Sequence, residues 1–201
     1  MVESVVILAN SRKFDGRCIA GKTPDGRWIR FVQDGKRSIP NEEGMNIKIL
    51  GRYSVNILEN RISERLCYHT ENYTYNNLNF VEYANVEELD YYLDNPDYIY
   101  GDLRRFIRFP EAKEYNNSLL FIKVSNFIAY KSPSGHVQCN FIYNGEEYST
   151  FCLTDSYIES IFLRKNIGSN VFVGDAYITV SIGVPSYFNV FKLVSGVIPA
   201  K

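Results

Sequence analysis

LLFIKVSNFIAYKSPSGHVQCNFIYNGEEYSTFCL, residues 119–153, decides the fold. Three strand-like runs, Leu119–Tyr130, His136–Tyr143 and Glu147–Leu153, are broken by two turn signals, Pro133-Ser134-Gly135 and Asn144-Gly145. Asn-Gly serves a two-residue hairpin turn because both central positions need positive φ. Thr154 or Asp155 then starts a helix to about Lys165, apolar at Ile158, Ile161 and Phe162 and ended by Gly168. Val171–Ile182 and Tyr187–Ile198 read as two more strands.

The order β-β-β-α-β-β is that of a five-stranded OB-type barrel, with a helix between its third and fourth strands. The N-terminal part reads as a second such unit. Glu3–Asn10 holds the continuous apolar run Val5-Val6-Ile7-Leu8 and predicts a central strand. Residues 16–33 predict a hairpin around Thr23-Pro24-Asp25-Gly26, where Pro presets φ and Gly supplies the left-handed position. Gln33–Gly44 is a polar connection, and Asn46–Leu50 and Arg52–Leu58 alternate as strands do. Glu59–Ala84 has no clear period. Asn85-Val86-Glu87-Glu88 starts a helix to about Leu93, Asn capping and Glu following three residues on. Asp97–Asn117 is a mixed connector. The expectation is a mainly β (α+β) chain with two OB-type barrels, at 1–80 and 118–201, and a partly helical insertion at 81–117.

Composition narrows the function classes. The net charge of −1 excludes a globally basic nucleic-acid binder. Charge is uneven, however. Residues 1–40 hold eight Lys/Arg against four Asp/Glu, residues 41–100 four against eleven, and residues 101–201 ten against eight. A basic first segment beside an acidic middle permits local anion binding. Sixteen Tyr and 13 Phe suit strands, or an aromatic binding surface. Cys18, Cys67, Cys139 and Cys152 form no C-x-x-C pair, and with only His69 and His136 they offer no zinc spacing. No metal or cofactor is expected. Without a signal segment or an apolar run near 18 residues, a reducing cytoplasm and no membrane are expected.

The densest chemistry lies in Ile7–Val32, ILANSRKFDGRCIAGKTPDGRWIRFV. It carries Arg12, Lys13, Arg17, Lys22, Arg27, Arg30 and the single Trp, Trp28. Basic side chains beside an aromatic can hold phosphates and stack a base; the same residues also suit a solvated face around a buried Trp. Period two puts Trp28 and Arg30 on one face, and Trp28 is expected half-exposed. The polar loop expected at Asn10–Gly16, with Gly21, lacks the spaced glycines of a phosphate loop. Asp102 with Glu111-Ala112-Lys113 imitates a metal nuclease, but the stretch contains Pro110 and no strand-like alternation. His69 and Glu71 suit either an acid–base pair or a structural hydrogen bond, with Cys67 nearby. Arg104, Arg105 and Arg108 share a face if helical, and either track phosphates or neutralise the acidic middle.

Leu8-Ala9-Asn10-Ser11-Arg12-Lys13, Gly16-Arg17-Cys18-Ile19-Ala20-Gly21 and Trp28-Ile29-Arg30-Phe31-Val32 resemble the opening signature of the prokaryotic dual OB-containing family, with Phe31 where that pattern has Pro. His69-Thr70-Glu71-Asn72 resembles an internal stretch of the family. Thr179–Pro185 with Phe191-Lys192-Leu193 resembles its close. The resemblance implies two OB-type barrels and a role linked to nucleic acid or nucleotides. The leading expectation is a non-enzymatic binding module for single-stranded nucleic acid or a nucleotide-like ligand. Its contacts would be Asn10, Ser11, Arg12, Lys13, Arg17, Trp28 and Arg30, with His69, Glu71, Asn72, Arg104, Arg105 and Arg108 as secondary candidates. The alternatives are an enzyme on nucleotides or nucleic acid, and a protein-interaction or sensor subunit of a larger prokaryotic system.

Overall fold

A computed structural model describes residues 2–13, 16–33, 38–62 and 66–200. The chain is mostly β and divides into two compact units, Met1–Tyr92 with Lys113–Ser118, and Leu93–Ala112 with Leu119–Lys201.

The first unit is a closed barrel of β1 (Val2–Lys13), β2 (Gly16–Lys22), β3 (Trp28–Phe31), β4 (Gly51–Asn60) and β5 (Asn72–Tyr83), in the order β1-β2-β3-β5-β4. β4 returns antiparallel to β1, and β3 pairs parallel with β5. The apolar run of β1 is central as expected, paired on both sides. Val5, Ile7, Ile19, Ile29, Phe31, Tyr53 and Val55 fill the core. The expected β2–β3 hairpin forms, with Ile19 opposite Phe31 and Lys22 opposite Trp28. Its turn closes through Gly26 N–H to Thr23 O (2.9 Å), with Gly26 at φ 84°.

One strand expected here is absent. Asn46–Leu50 closes a short helix, α1 (Asn41–Asn46), and then turns into β4. Pro40 presets the entry, and Ile47 seals the core from the helix C-cap, which explains the misleading alternation. β5 is the element that Glu59–Ala84 conceals; most of its second half is exposed. Side chains cap the expected helix start: Glu87 N–H donates to Asn85 Oδ1 (3.3 Å), and Asn85 N–H to Glu88 Oε1 (3.4 Å). The segment they open, Val86–Tyr92, winds as a 3-10 helix.

The second unit contains β6 (Phe106–Arg108), the short α2 (Phe109–Ala112), β7 (Leu119–Lys131), β8 (Val137–Tyr143), β9 (Glu146–Leu153), α3 (Ser156–Phe162), β10 (Asn170–Ile182) and β11 (Asn189–Pro199). The sheet order is β10-β7-β8-β9-β11-β6, and a further β10–β11 pairing returns the sheet on itself. β9 and β11 pair in parallel, so the ring repeats the strand order of the first barrel. β6 adds to the edge of β11. The last strand starts at Asn189 rather than Tyr187, because Ser186 and Asn189 close a turn through Ser186 N–H to Asn189 O (2.8 Å) and Asn189 N–H to Ser186 O (3.1 Å).

Asp155 caps α3, accepting from Ile158 N–H (2.9 Å) and from Val197 N–H of β11 (3.1 Å). At the other end Lys131 Nζ donates to the carbonyls of Phe162 (3.2 Å) and Lys165 (2.8 Å). Ile158 and Phe162, four residues apart, are the buried helix positions. Burial pushes the Asp155 carboxyl up to about 6, and the backbone N–H donors only partly oppose it. A folded-state pKa above the unfolded value means that the folded state binds the proton more tightly. The stabilisation is full below about 4 and is lost as pH rises through about 6. Urea unfolding at pH 4 and pH 7 checks this. The advantage of the native chain over Asp155→Asn is expected to grow on acidification, and an advantage that grows toward pH 7 would reverse the sign.

Candidate functional site

The end of β1 and the start of β2 clamp α1 to the first barrel. Asn10 Nδ2 donates to the carbonyls of Gly44 (3.0 Å) and Ile47 (2.8 Å), the end of α1. Asn10 Oδ1 accepts from Arg17 Nη1 (3.1 Å), and Arg17 Nε donates to Asn41 Oδ1 (3.1 Å) at the helix start. Arg17 and Ile39 exchange both backbone bonds (2.9 and 3.0 Å). A Cβ on Gly16 would lie 2.1 Å from Ile39 O, so glycine is required there. Asn10 and Ser11 are buried. The bonds of Asn10 and Arg17 hold α1 on the barrel, and Ser11 lies opposite Cys18 in the β1–β2 ladder. Arg12 is exposed and Lys13 half-buried where β1 meets β2, so these two reach solvent.

Two expectations are corrected on β3, where all four residues are buried. Trp28 is 6% exposed, not half-exposed. Lys22 Nζ lies 5.0 Å over its ring and donates to Tyr92 O (2.8 Å). Arg30 is 4% exposed and cannot reach a phosphate as it stands. Its Nη1 pairs with Glu71 Oε1 (2.9 Å) and its Nη2 donates to Ser118 Oγ (2.8 Å). Ser118 Oγ donates to Glu71 Oε1, and Ser118 N–H to Glu71 Oε2 (3.2 Å). The Arg30 N–H donates to the Glu71 carbonyl (2.7 Å). The physical reason is closure: β3 pairs on one side with β2 and on the other with β5, and the segments before β5 and β7 cover its remaining face. Two blocks of the sequence, Trp28–Phe31 and His69–Asn72, thereby form one buried network. His69 and Asn72 are buried too, and the Tyr68 and His69 rings meet edge to face at 4.7 Å. The acid–base reading of His69 and Glu71 loses its carboxylate to Arg30 and Ser118.

The basic cluster of the second unit is not helical. Arg105 leads into strand β6, and Arg104, Arg105 and Arg108 are exposed. Arg104 Nε pairs with Asp102 Oδ2 (2.6 Å), and its guanidinium lies 5.7 Å over Phe106. Lys192 is buried and donates through Nζ to Asp102 Oδ1 (2.8 Å), Asp102 O (2.9 Å) and Ile99 O (2.6 Å). Partial burial works to raise the Asp102 carboxyl, but Lys192 and Arg104 overcome it and hold it below its ordinary range. Burial pulls the Lys192 ammonium down, and Asp102 partly restores it. Asp102 therefore serves as a counterion, not as half of a metal site with Glu111. No cluster of metal-ligating side chains occurs among the described residues.

Beside β6 stands a feature that strand reading hides. The turn between β10 and β11 carries Tyr187 and Phe188 at its tip, 96% and 82% exposed. Tyr187 takes φ 55°, the left-handed region where Asn or Gly is usual. Phe188 O accepts from Phe109 N–H (2.8 Å), which anchors the tip to the segment after β6. Phe191 sits opposite Phe106, their rings 6.2 Å apart. Arg108 pairs with Asn189 across the same ladder. Two exposed aromatics and two exposed arginines, Arg105 and Arg108, thus share one edge of the second barrel. Adjacent aromatics after Pro185-Ser186 were the available signal.

Comparison with known proteins agrees with this architecture. No curated protein and no solved structure matches the chain. The family described as dual OB-containing domain matches residues 3–197, which include both barrels and the two signature blocks that meet at Arg30 and Glu71. The chain belongs to the dual OB-containing domain family.

Proposed function

We propose that this OB-type module binds single-stranded nucleic acid, and that the contact edge is the β10–β11 turn with β6. The observation that carries the reading is the Tyr187–Phe188 tip. A non-glycine residue held at positive φ costs of order 1 kcal/mol, and two large rings left in water recover nothing from the fold. A ligand with flat faces supplies what the fold does not. The turn between the fourth and fifth strands is one of the two loops by which OB barrels hold oligonucleotides. Arg105 and Arg108 provide phosphate contacts, and Arg12 and Lys13 remain further candidates on the first barrel. The stacking role moves from Trp28 to Tyr187 and Phe188, and the phosphate role from Arg30 to Arg105 and Arg108.

Anisotropy of labelled single-stranded oligonucleotides with the full chain tests the reading. Affinity is expected to fall with salt, with a log–log slope of about −0.7 per phosphate neutralised. Arg105→Gln with Arg108→Gln should flatten that slope by about 1.4. Tyr187→Ala and Phe188→Ala should each cost about 1–3 kcal/mol of binding while leaving the melting curve in place. Absence of binding at low salt would remove the proposal and turn attention to a protein partner at the same edge.

A further inference from the structure

We propose that the first barrel holds a second, separate site, an aromatic cavity for a methylated ammonium group. The cavity encloses about 340 Å³ between α1, β4 and β5. Three of its walls are the rings of Tyr53, Phe80 and Tyr83. Tyr53 and Phe80 stand at 76° with centroids 5.6 Å apart, and Phe80 and Tyr83 at 63° and 5.1 Å. These are the inclined walls of a cage, not a closed stack. Phe80 and Tyr83 are 49% and 63% exposed, so a ligand has ring faces left to cover.

The backbone is shaped to make the cage. In a regular strand, residues 80 and 83 point to opposite faces. A register shift puts Tyr53 opposite Phe80 while Arg52 stays opposite Glu82 and Gly51 opposite Tyr83. That irregularity brings both rings to one cavity, a use to which strand bulges near binding sites are commonly put. Gly51 is required as well, because a Cβ there would lie 2.5 Å from the Tyr53 ring. Leu50, just before it, is held at φ 64° without being glycine.

Charge selects the ligand. Glu43 lines the cavity and forms no ion pair among the described residues; its carboxylate accepts from the Tyr75 hydroxyl and from Gln33 Nε2 (3.4 Å). Residues 41–100 carry eleven acidic against four basic side chains. Lys48 also lines the cavity, but its ammonium donates to Met45 O (3.4 Å). Ring faces and a carboxylate attract a cation. A bare ammonium would need several hydrogen-bond acceptors, which this apolar lining offers sparingly. A methylated ammonium needs none and spreads its charge over methyl groups that touch the rings.

Titration of the full chain with choline, followed by calorimetry and by amide chemical shifts, tests the site. The neutral isostere 3,3-dimethylbutan-1-ol is the control, and a trimethyllysine peptide is the second source of the same group. Choline or the peptide is expected to bind more tightly than the isostere, with shifts at Phe80 and Tyr83. Binding by choline assigns a small-molecule ligand, and binding by the peptide alone assigns a protein tail. Phe80→Leu and Tyr83→Leu should each weaken binding by about 2- to 30-fold. Glu43→Gln should weaken it and Lys48→Gln should tighten it. Equal affinity for the isostere, or no response to either cation, would overturn the proposal.

Discussion

Glu71→Ala is expected to lower the unfolding free energy by about 3–5 kcal/mol, the usual result of leaving one buried charge without its partner. Arg30 would keep a guanidinium that is 4% exposed and lose the carboxylate 2.9 Å away. The Ser118 N–H and hydroxyl would lose their acceptors in the same step. Urea unfolding of the single variant checks the loss. The pair itself need not add net stability, because desolvating two charges offsets most of their attraction. Arg30→Met with Glu71→Leu is therefore expected to recover much of what Glu71→Ala forfeits. A loss below about 1 kcal/mol in the single variant would mean that water reaches the site and that the pair behaves as a surface bridge.

That network also marks the limit of sequence reading. The strands on either side of the Thr23–Gly26 and Asn144-Gly145 turns were legible because turn residues and alternating apolar positions agree. The Asn85 and Asp155 caps were legible because each has a local side chain that satisfies a local N–H. The α1 helix was not: six residues with a glycine inside have no helical period to read. β5 was obscured by the register shifts that set Phe80 beside Tyr53. The Arg30–Glu71 pair joins residues 41 apart in sequence, and no spacing rule connects them. Basic residues around Trp28 suggested a phosphate-binding surface because period two assigns faces without saying whether both faces are covered. In a closed barrel whose β3 is overlaid by the segments around Glu71 and Ser118, both are. The exposed tip at Tyr187 escaped notice for the opposite reason, since aromatics are ordinary strand residues until a turn places them in water.

Trp28→Ala should cost about 3–5 kcal/mol of folding free energy, as for other large-to-small changes in a core. The ring is 6% exposed on a strand whose four residues are all buried. Removing it opens a space that the barrel cannot collapse to fill, because β3 is held by ladder bonds on both edges. It also strips Lys22 of the ring face 5.0 Å from its ammonium, although the bond to Tyr92 O remains. Trp28→Phe, which keeps an aromatic face and part of the volume, is expected to cost less than half as much. Because the chain has one Trp, emission reports on this position alone. It should be blue-shifted, resist acrylamide quenching, and move to the red in the same urea transition that circular dichroism follows. Red emission in the native state with ready quenching would place the ring in water, and the small stability loss then expected for Trp28→Ala would return the residue to the list of stacking candidates.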